Sequence, residues 1–288
     1  MIDVNEMTVK PLSDALGAEI SGINAAKIDD ETFSALRDAL HDNVVVVVRD
    51  QALTPAEQTV FTERFGKPKY LNNSDGLMAQ QPEIQILSNE KVDDKYIGNP
   101  DAGTEWHSDN SYADCPTAYT FLQSVHVPKV GGDTEWNNMV KVYDSLNDDL
   151  KSRIQGLIGI HSYSRSRNPR VVRKNRVLHG ENFYDDREPT DVYHPIVRTH
   201  PFTGRKALYL SARFTIGIKD MDDDVAQPLM DEIFEYVDRR EFVYRHKWRS
   251  GDLVMWDNRS TIHIACGGVK DPEIRRMHRT SVIGEAPF

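Results

Sequence analysis

The sequence feature that most constrains the fold is a series of short strand-like segments, each separated from the next by turn residues, from Ile84 to the C-terminus. The segments are Ile84–Leu87, the region around Trp106, Tyr119–Val127, Asp133–Trp136, Ile196–Arg198, Ala207–Leu210, Phe242–Arg249, Leu253–Trp256, Ile262–Ala265 and Ile274–Ile283. Many short strands with few helices are typical of two antiparallel sheets packed face to face. We therefore predict a mainly β protein with flanking helices, a jelly roll of the cupin-like, double-stranded β-helix type.

The helices are predicted from apolar spacing and capping residues. Thr54, Pro55 and Glu57 form a helix start of the capping-box kind, and Gly66 can end that helix. The run Val44–Val48 predicts a strand that is buried on both faces. The remaining helices are expected at about Asp30–His41, Met139–Leu146, from Lys151, and Asp224–Val237, and the first strands at Thr8–Lys10 and Ala18–Ile20.

Composition narrows the classes of function. The net charge of −10 argues against a nucleic-acid partner, because phosphate binding needs an excess of Lys and Arg. No apolar run approaches the ~20 residues that a membrane span needs, and the N-terminus shows no secretory signal. The two cysteines are too few for a disulfide framework, so we expect a cytoplasmic protein. With no repeat and no Gly-, Ser- or Pro-rich linker, residues 1–288 are expected to form one domain.

His107-Ser108-Asp109 is a candidate metal site, because residues i and i+2 of a strand point to the same side. Ten His and 45 acidic residues in 288 positions predict roughly 1.6 such matches by chance, so the motif alone is weak evidence. The second match, His179-Gly180-Glu181, has a central Gly and lies in a charged segment. The aromatic residues beside His107 suit a half-buried strand, although a solvated histidine at a strand end explains His107 equally well.

A third ligand is expected on a distant strand. His263 has the best setting, since Thr261–Ala265 is an apolar strand with one polar residue inside it, and His126, His161 and His246 remain possible. Two imidazoles and one carboxylate on one face of a metal are typical of non-haem iron(II) oxygenases. Arg275 and Arg279 would share one face of the last strand, where buried guanidiniums need anions; the alternative is a solvated outer face.

Four segments together resemble the taurine dioxygenase family, which includes 2,4-dichlorophenoxyacetate dioxygenases and 2-oxoglutarate-dependent alkylsulfatases. They are Trp106–Asp109, Gly131–Thr134, Trp256–His263 and Arg275–Arg279, and the similarity runs in order from about Lys10 to Pro287. The resemblance implies an enzyme that uses Fe(II), 2-oxoglutarate and O2, and that releases succinate and CO2. It implies oxidation of a small anionic organic substrate by hydroxylation, with or without fragmentation, and a homo-oligomer, either dimer or tetramer.

The resemblance also implies a role for each matching residue. His107, Asp109 and His263 become the iron ligands, and no further side chain is required as a catalytic acid or base. Thr134 and Arg275 would hold the far carboxylate of 2-oxoglutarate. Arg279 would bind the anionic group of the substrate, with Asn110 and Tyr70 nearby.

The chain departs from the taurine enzymes, which carry a His and a Tyr near Pro68–Tyr70 and an Asn near Gly103. This chain offers only Tyr70 there, and the run Arg239–Trp256 is similar to the phenoxyacetate enzymes. A carboxylate substrate is therefore favoured over a sulfonate or sulfate ester. The polar segment at about 161–193, basic from Arg165 to Arg176, is expected to be a lid loop.

Two other classes of function remain open from the residues alone. One is a cupin-like metal-dependent hydrolase or isomerase that uses the same three ligands without oxygen. The other is a non-catalytic jelly roll that binds an organic anion.

Overall fold

The computed structural model describes residues 7–70, 76–100, 103–163 and 191–288. Within these ranges the helices are α1 (Asp30–Asn43), α2 (Pro55–Glu63), α3 (Met139–Ser145), α4 (Asp148–Ile154) and α5 (Asp223–Val237), with 3-10 turns at Ala25–Lys27 and Arg240–Phe242. The strands are β1 (Thr8–Pro11), β2 (Ala18–Ser21), β3 (Val45–Val48), β4 (Leu77–Met78), β5 (Gln81–Ser88), β6 (Lys91–Val92), β7 (Lys95–Tyr96), β8 (Thr117–His126), β9 (Thr134–Asn138), β10 (Ile158–His161), β11 (Val192–Pro195), β12 (Val197–Thr199), β13 (Lys206–Leu208), β14 (Thr215–Ile218), β15 (Val243–His246), β16 (Leu253–Asp257), β17 (Thr261–Ala265) and β18 (Arg276–Ile283).

Two sheets form the frame of the functional site. The larger has eight strands in the order β1-β2-β3-β16-β8-β18-β5-β4, and all its neighbours are antiparallel except β2 and β3. The smaller has the order β15-β9-β17. Trp136 of β9 is fully buried between the sheets, where it packs with Leu122, Val254 and Met277 of the larger one. This is the mainly β jelly roll that the sequence predicts.

The valine run shows why the larger sheet is buried on both faces. Val45 and Val47 belong to the core between the sheets, whereas Val46 and Val48 pack against α1 and α2 on the outside. Alternation along a strand sends successive side chains to opposite faces, so a strand covered on both sides must be apolar throughout. Helices α3 and α5 similarly pack on a second core that includes Ile262 of β17.

The capping box of α2 is confirmed. The Thr54 hydroxyl accepts from the backbone N–H of Glu57, whose carboxylate accepts in turn from Thr54 N–H. That helix ends at Glu63, however, not at Gly66. The strand predicted to begin at Val44 begins at Val45, because Val44 has a left-handed backbone (φ 59°) and its N–H caps α1 on Leu40 O.

Two further expectations need correction. The segment around Trp106 is not a regular strand: His107 forms one isolated antiparallel bridge, to His263, and the chain then turns. The predicted 161–193 loop is too long at both ends, since His161 closes β10 and pairs with Val192 at the start of β11. Most of that segment, with the basic run Arg165–Arg176 and the expected lid, lies outside the described residues. None of the described helices is both long and apolar enough to span a bilayer.

Candidate metal centre

His107 and His263 face each other directly across the isolated bridge. His107 N–H donates to His263 O at 3.0 Å and His263 N–H donates to His107 O at 2.8 Å. The pair is therefore hydrogen-bonded in both directions, and the two ring centroids lie 4.2 Å apart. His263 sits on β17, whose other edge pairs with Trp136 of β9, so the smaller sheet holds this imidazole in place.

Asp109 completes a buried group of three potential ligands. Its Oδ1 atom lies 3.6 Å from Nε2 of His107 and 3.8 Å from Nε2 of His263. All three side chains are buried, and their donor atoms lie within 4.8 Å of one another. After Asp109 the chain reverses at Asn110, which adopts a left-handed backbone (φ 55°) that Asn tolerates better than most residues.

The protonation states of the three groups suit a metal ion, which needs neutral imidazoles and an ionised carboxylate. Burial lowers the pKa of His107 to about 4 despite the opposing field of Asp109. Burial and the neighbouring His107 hold the pKa of His263 well below its usual value. Burial alone would raise the pKa of Asp109, but Arg279 and the two imidazoles keep it below its ordinary range.

Hydrogen bonds from neighbouring residues orient the His107 and Asp109 side chains. Nδ1 of His107 lies 2.6 Å from the carbonyl oxygen of Glu105, which places the ring proton on Nδ1 and leaves the Nε2 lone pair free. Oδ2 of Asp109 accepts from the Thr120 hydroxyl at 2.6 Å. The Asn258 amide donates to that same hydroxyl, while its Oδ1 accepts from Asp109 N–H. Asp109 thus presents Oδ1 to the imidazoles.

Arg279 lies beside this group. It donates through NH2 to Oδ1 of Asp109 at 2.7 Å and through NH1 to Oε1 of Gln85 at 3.1 Å. Gln85 is its partner in the β5–β18 register, so the two side chains share one face of the sheet. The guanidinium that the sequence assigned to an anionic group therefore contacts the carboxylate of Asp109, one of the three candidate ligands, directly.

Arg275 lies against Gly132, where the backbone makes room for its side chain. A Cβ atom at Gly132, whose φ is +74°, would lie 2.8 Å from Cδ of Arg275. Nε of Arg275 donates to Gly132 O at 3.0 Å, and burial lowers the pKa of Arg275 to about 10. Its guanidinium carbon is 5.8 Å from the ring of Trp248, whose indole N–H donates to the Thr134 hydroxyl. Trp248 thus connects the two residues expected to bind one carboxylate.

Aromatic side chains lie next to His107, one of the three candidate ligands. The Tyr112 ring lies 4.8 Å from that of Tyr163 and 4.9 Å from that of Phe214, which in turn lies 6.1 Å from His107. The Tyr112 hydroxyl donates to Oδ1 of Asn110. These rings form an aromatic wall close to Arg279 and the three candidate ligands. Such an arrangement suits a molecule with an organic body and an anionic end.

The structure brings His107, Asp109, His263, Arg279 and Asn110 together, places Thr134 and Arg275 around Trp248, and leaves Tyr70 outside. The Tyr70 side chain is 52% exposed, and a hydrogen bond to Glu83 raises the pKa of its phenol. Its neighbour Lys69 is the residue within electrostatic reach of Arg279 and Asp109. Lys69, and not Tyr70, lies near Arg279 because Lys69 pairs with Ser281 of β18. Nothing in the sequence indicates that pairing.

Sequence reasoning also missed a second buried cluster, formed by His41, His200 and Asp257. Both oxygens of Asp257 accept from Arg259, and Oδ2 also lies 2.9 Å from Nε2 of His200. Nδ1 of His200 accepts from the backbone N–H of Thr203, so neither ring nitrogen is free. The Arg259 guanidinium already neutralises Asp257, and we interpret this cluster as a structural ion-pair network.

Comparisons with known proteins agree with the geometry. The model of the family described as "Taurine catabolism dioxygenase TauD, TfdA family" matches residues 8–281. The alpha-ketoglutarate-dependent 2,4-dichlorophenoxyacetate dioxygenase of Cupriavidus pinatubonensis is 34% identical over 241 residues, 78% of this chain and 79% of the relative. The alkylsulfatase of Acinetobacter baylyi is 30% identical over 97% of this chain and 86% of its own length. A crystal structure of AAD-2 in complex with Mn(II) and N-oxalylglycine has a TM-score of 0.76 at 28% identity, and covers 98% of this chain and 99% of that one.

Proposed function

The chain belongs to the taurine catabolism dioxygenase TauD, TfdA family, and from this membership we propose that it oxidises a small organic acid, with a carboxylate as the favoured anionic group. It is an enzyme that depends on Fe(II), 2-oxoglutarate and O2. This membership decides against the hydrolase, the isomerase and the non-catalytic binding protein that the residues alone left open.

The observation that carries the proposal is the convergence of His107, Asp109 and His263. Their three donor atoms face a common point, the imidazoles are neutral and the carboxylate is ionised, so the donor set fits iron(II) bound on one face. Iron bound there supplies the activation of O2 that no protein side chain provides. The residues themselves hold the metal, orient both organic molecules and exclude water.

Thr134 and Arg275 are assigned to the carboxylate of 2-oxoglutarate that lies away from the metal. Arg275 is partly buried with its Nε on a backbone carbonyl, so its terminal nitrogens remain available to an anion. A guanidinium binds a carboxylate through two parallel hydrogen bonds, which fixes its orientation as well as its position. The Trp248 indole occupies one side of the Thr134 oxygen and leaves the hydroxyl proton free to donate.

Arg279 is assigned to the anionic group of the prime substrate, with Asn110 at its edge and the aromatic wall of Tyr112 and Phe214 along its organic body. The relatives are named for phenoxyacetate and for alkyl sulfate substrates, both organic anions. Support for a carboxylate comes from the similarity of Arg239–Trp256 to the phenoxyacetate enzymes and from the higher identity to that relative.

The test is a screen for substrate-dependent succinate formation. The iron-loaded enzyme receives 2-oxoglutarate and O2 together with carboxylates, sulfonates, sulfate esters or phosphonates of matched carbon skeleton. We expect a carboxylate to give the highest kcat/KM, and His107→Ala and His263→Ala to abolish turnover with every substrate. Turnover that proceeds without oxygen, or with zinc in place of iron, would contradict the proposal, and a sulfate ester as the best substrate would contradict its carboxylate preference.

A further inference from the structure

The segment Lys67–Lys69 runs along β18 as an additional edge. Lys69 N–H donates to Ser281 O at 2.8 Å, Ile283 N–H donates to Lys67 O at 3.0 Å, and Pro68 forms an antiparallel bridge with Val282. Three consecutive residues are therefore fixed in register against the end of the strand that carries Arg279.

This register determines which way each side chain points. In an antiparallel pair, directly opposite residues share a face, so Lys69 lies on the face of Ser281 and Pro68 on the face of Val282. Ser281 is two residues after Arg279, so both of these side chains point to one side of β18. Lys69 and Arg279 thus belong to the same face, whereas Tyr70, the next residue along the chain, is exposed.

Within the described part of the chain, the Lys69 ammonium forms no hydrogen bond or ion pair with a carboxylate. Asp109 gives its Oδ1 to Arg279 and its Oδ2 to Thr120, so the ammonium of Lys69 only interacts with that carboxylate through space. Burial, and then the nearby Arg279, lower the pKa of Lys69 to about 8. Two adjacent, partly desolvated cations repel each other, and the arrangement becomes favourable when an anion lies between them.

We propose that Lys69 is the second cation of the substrate subsite, and that it binds the same oxyanionic headgroup as Arg279. This inference rests on the proposed function and makes it more specific. The headgroup accepts hydrogen bonds from both cations through different oxygens, so a neutral amide or alcohol of the same shape is discriminated against at this position. Lys69 does not touch the reacting carbon, so it acts on substrate binding and specificity and not on the chemical step.

The experiment uses one carbon skeleton with different headgroups: hexanoate, hexanesulfonate, hexyl sulfate and the neutral hexanamide. Binding to the anaerobic holoenzyme with Fe(II) and 2-oxoglutarate is measured by calorimetry, and turnover by succinate formation. Lys69→Met removes the charge but keeps the length of the side chain, and Lys69→Arg restores a cation. The matched control is Lys67→Met, which makes the same change at an exposed position of the same segment.

We expect Lys69→Met to weaken binding of the anion that wild type prefers about 10- to 100-fold. In Lys69→Met the KM for that anion should rise by a similar factor, while kcat changes little. Hexanamide should bind to this variant as well as it binds to wild type. Lys69→Arg should recover most of the affinity, and Lys67→Met should match wild type. Equal binding of the anion by wild type and Lys69→Met, or an equal loss for anion and amide, would overturn the inference.

Failure of this inference differs from failure of the proposed function. If Lys69 is irrelevant, Lys69→Met still forms succinate with wild-type KM. If the proposed function is wrong, no variant forms iron-dependent succinate, whereas calorimetry still reports whether hexanoate binds through Lys69.

Discussion

The Thr120 hydroxyl donates to Oδ2 of Asp109 across 2.6 Å, and so leaves Oδ1 as the oxygen that faces both imidazoles. Thr120 is itself held by the amide of Asn258 at 2.9 Å, and the same amide accepts from Asp109 N–H. One strand of the larger sheet and the turn after β16 thus fix both the backbone and the carboxylate of a residue that no regular strand holds.

Thr120→Val is expected to weaken metal binding. Valine has the shape of threonine without the hydroxyl, so Oδ2 of Asp109 loses its donor and the carboxylate gains freedom to rotate. Loss of such an orienting hydrogen bond typically costs 10- to 100-fold in metal affinity. The dissociation constant can be measured by titrating the metal-free protein with Co(II) and following its visible absorption. Thr120→Ser should retain most of the affinity, and a Val variant with wild-type affinity would rule out this role.

Arg275→Met is expected to raise the KM for 2-oxoglutarate by about 10- to 100-fold, because a charge-assisted pair with a carboxylate is lost. The KM for the prime substrate should change much less, since Arg279 remains. The control is Arg276→Met, whose guanidinium points to the opposite face and pairs with Glu90. Steady-state kinetics with each substrate varied separately distinguishes the two effects. A similar KM increase in both variants would contradict the assignment of Arg275.

His161 is expected to make stability depend on pH. Burial, with a smaller contribution from His194, lowers the pKa of His161 to about 3, and the ring also packs on Tyr209. In the unfolded chain the His161 imidazole takes up a proton near pH 6.5, so the contribution of the neutral buried ring to the unfolding free energy is fully present above that pH. It is lost as the pH falls toward 3, by up to about 1.4 kcal/mol per pH unit.

His161→Phe should therefore flatten the fall of the unfolding free energy between pH 6 and pH 4. Denaturant titrations of both proteins at several pH values provide the measurement. His126→Phe makes the same change at an exposed histidine and should leave the wild-type slope unaltered. Identical slopes for His161→Phe and wild type would show that this ring is protonated as readily in the folded state.

Asp257→Asn is expected to destabilise the protein by up to about 3–5 kcal/mol, because it leaves the buried Arg259 guanidinium with only its longer ion pair, to Glu285 at 3.6 Å. If the cluster with His41 and His200 is structural, metal analysis should find one iron per chain in both proteins. Asp149→Asn removes an exposed partner of Arg153 and should cost far less. Two metal ions in wild type and one in Asp257→Asn would contradict the structural interpretation.

Much of the architecture could be read from local patterns. The valine run predicted a strand buried on both faces, Thr54–Glu57 predicted a capped helix start, and the alternation of short strands predicted the jelly roll. These features depend on periodicity and on hydrogen bonds within a few residues. The errors lie at boundaries such as Val44, where a helix cap and a strand compete for one residue.

The sequence by itself determined the family, and through that resemblance it predicted the three metal ligands and the two arginines, because these depend on residue types in a fixed order along the chain. Tertiary structure alone decided that His107 meets His263 across a bridge outside any regular strand, that Thr120 and Asn258 orient Asp109, and that Lys69 and not Tyr70 faces Arg279. Each of these depends on strand register between distant segments. A shift of one residue in register exchanges the two faces, and nothing in the local sequence fixes that choice.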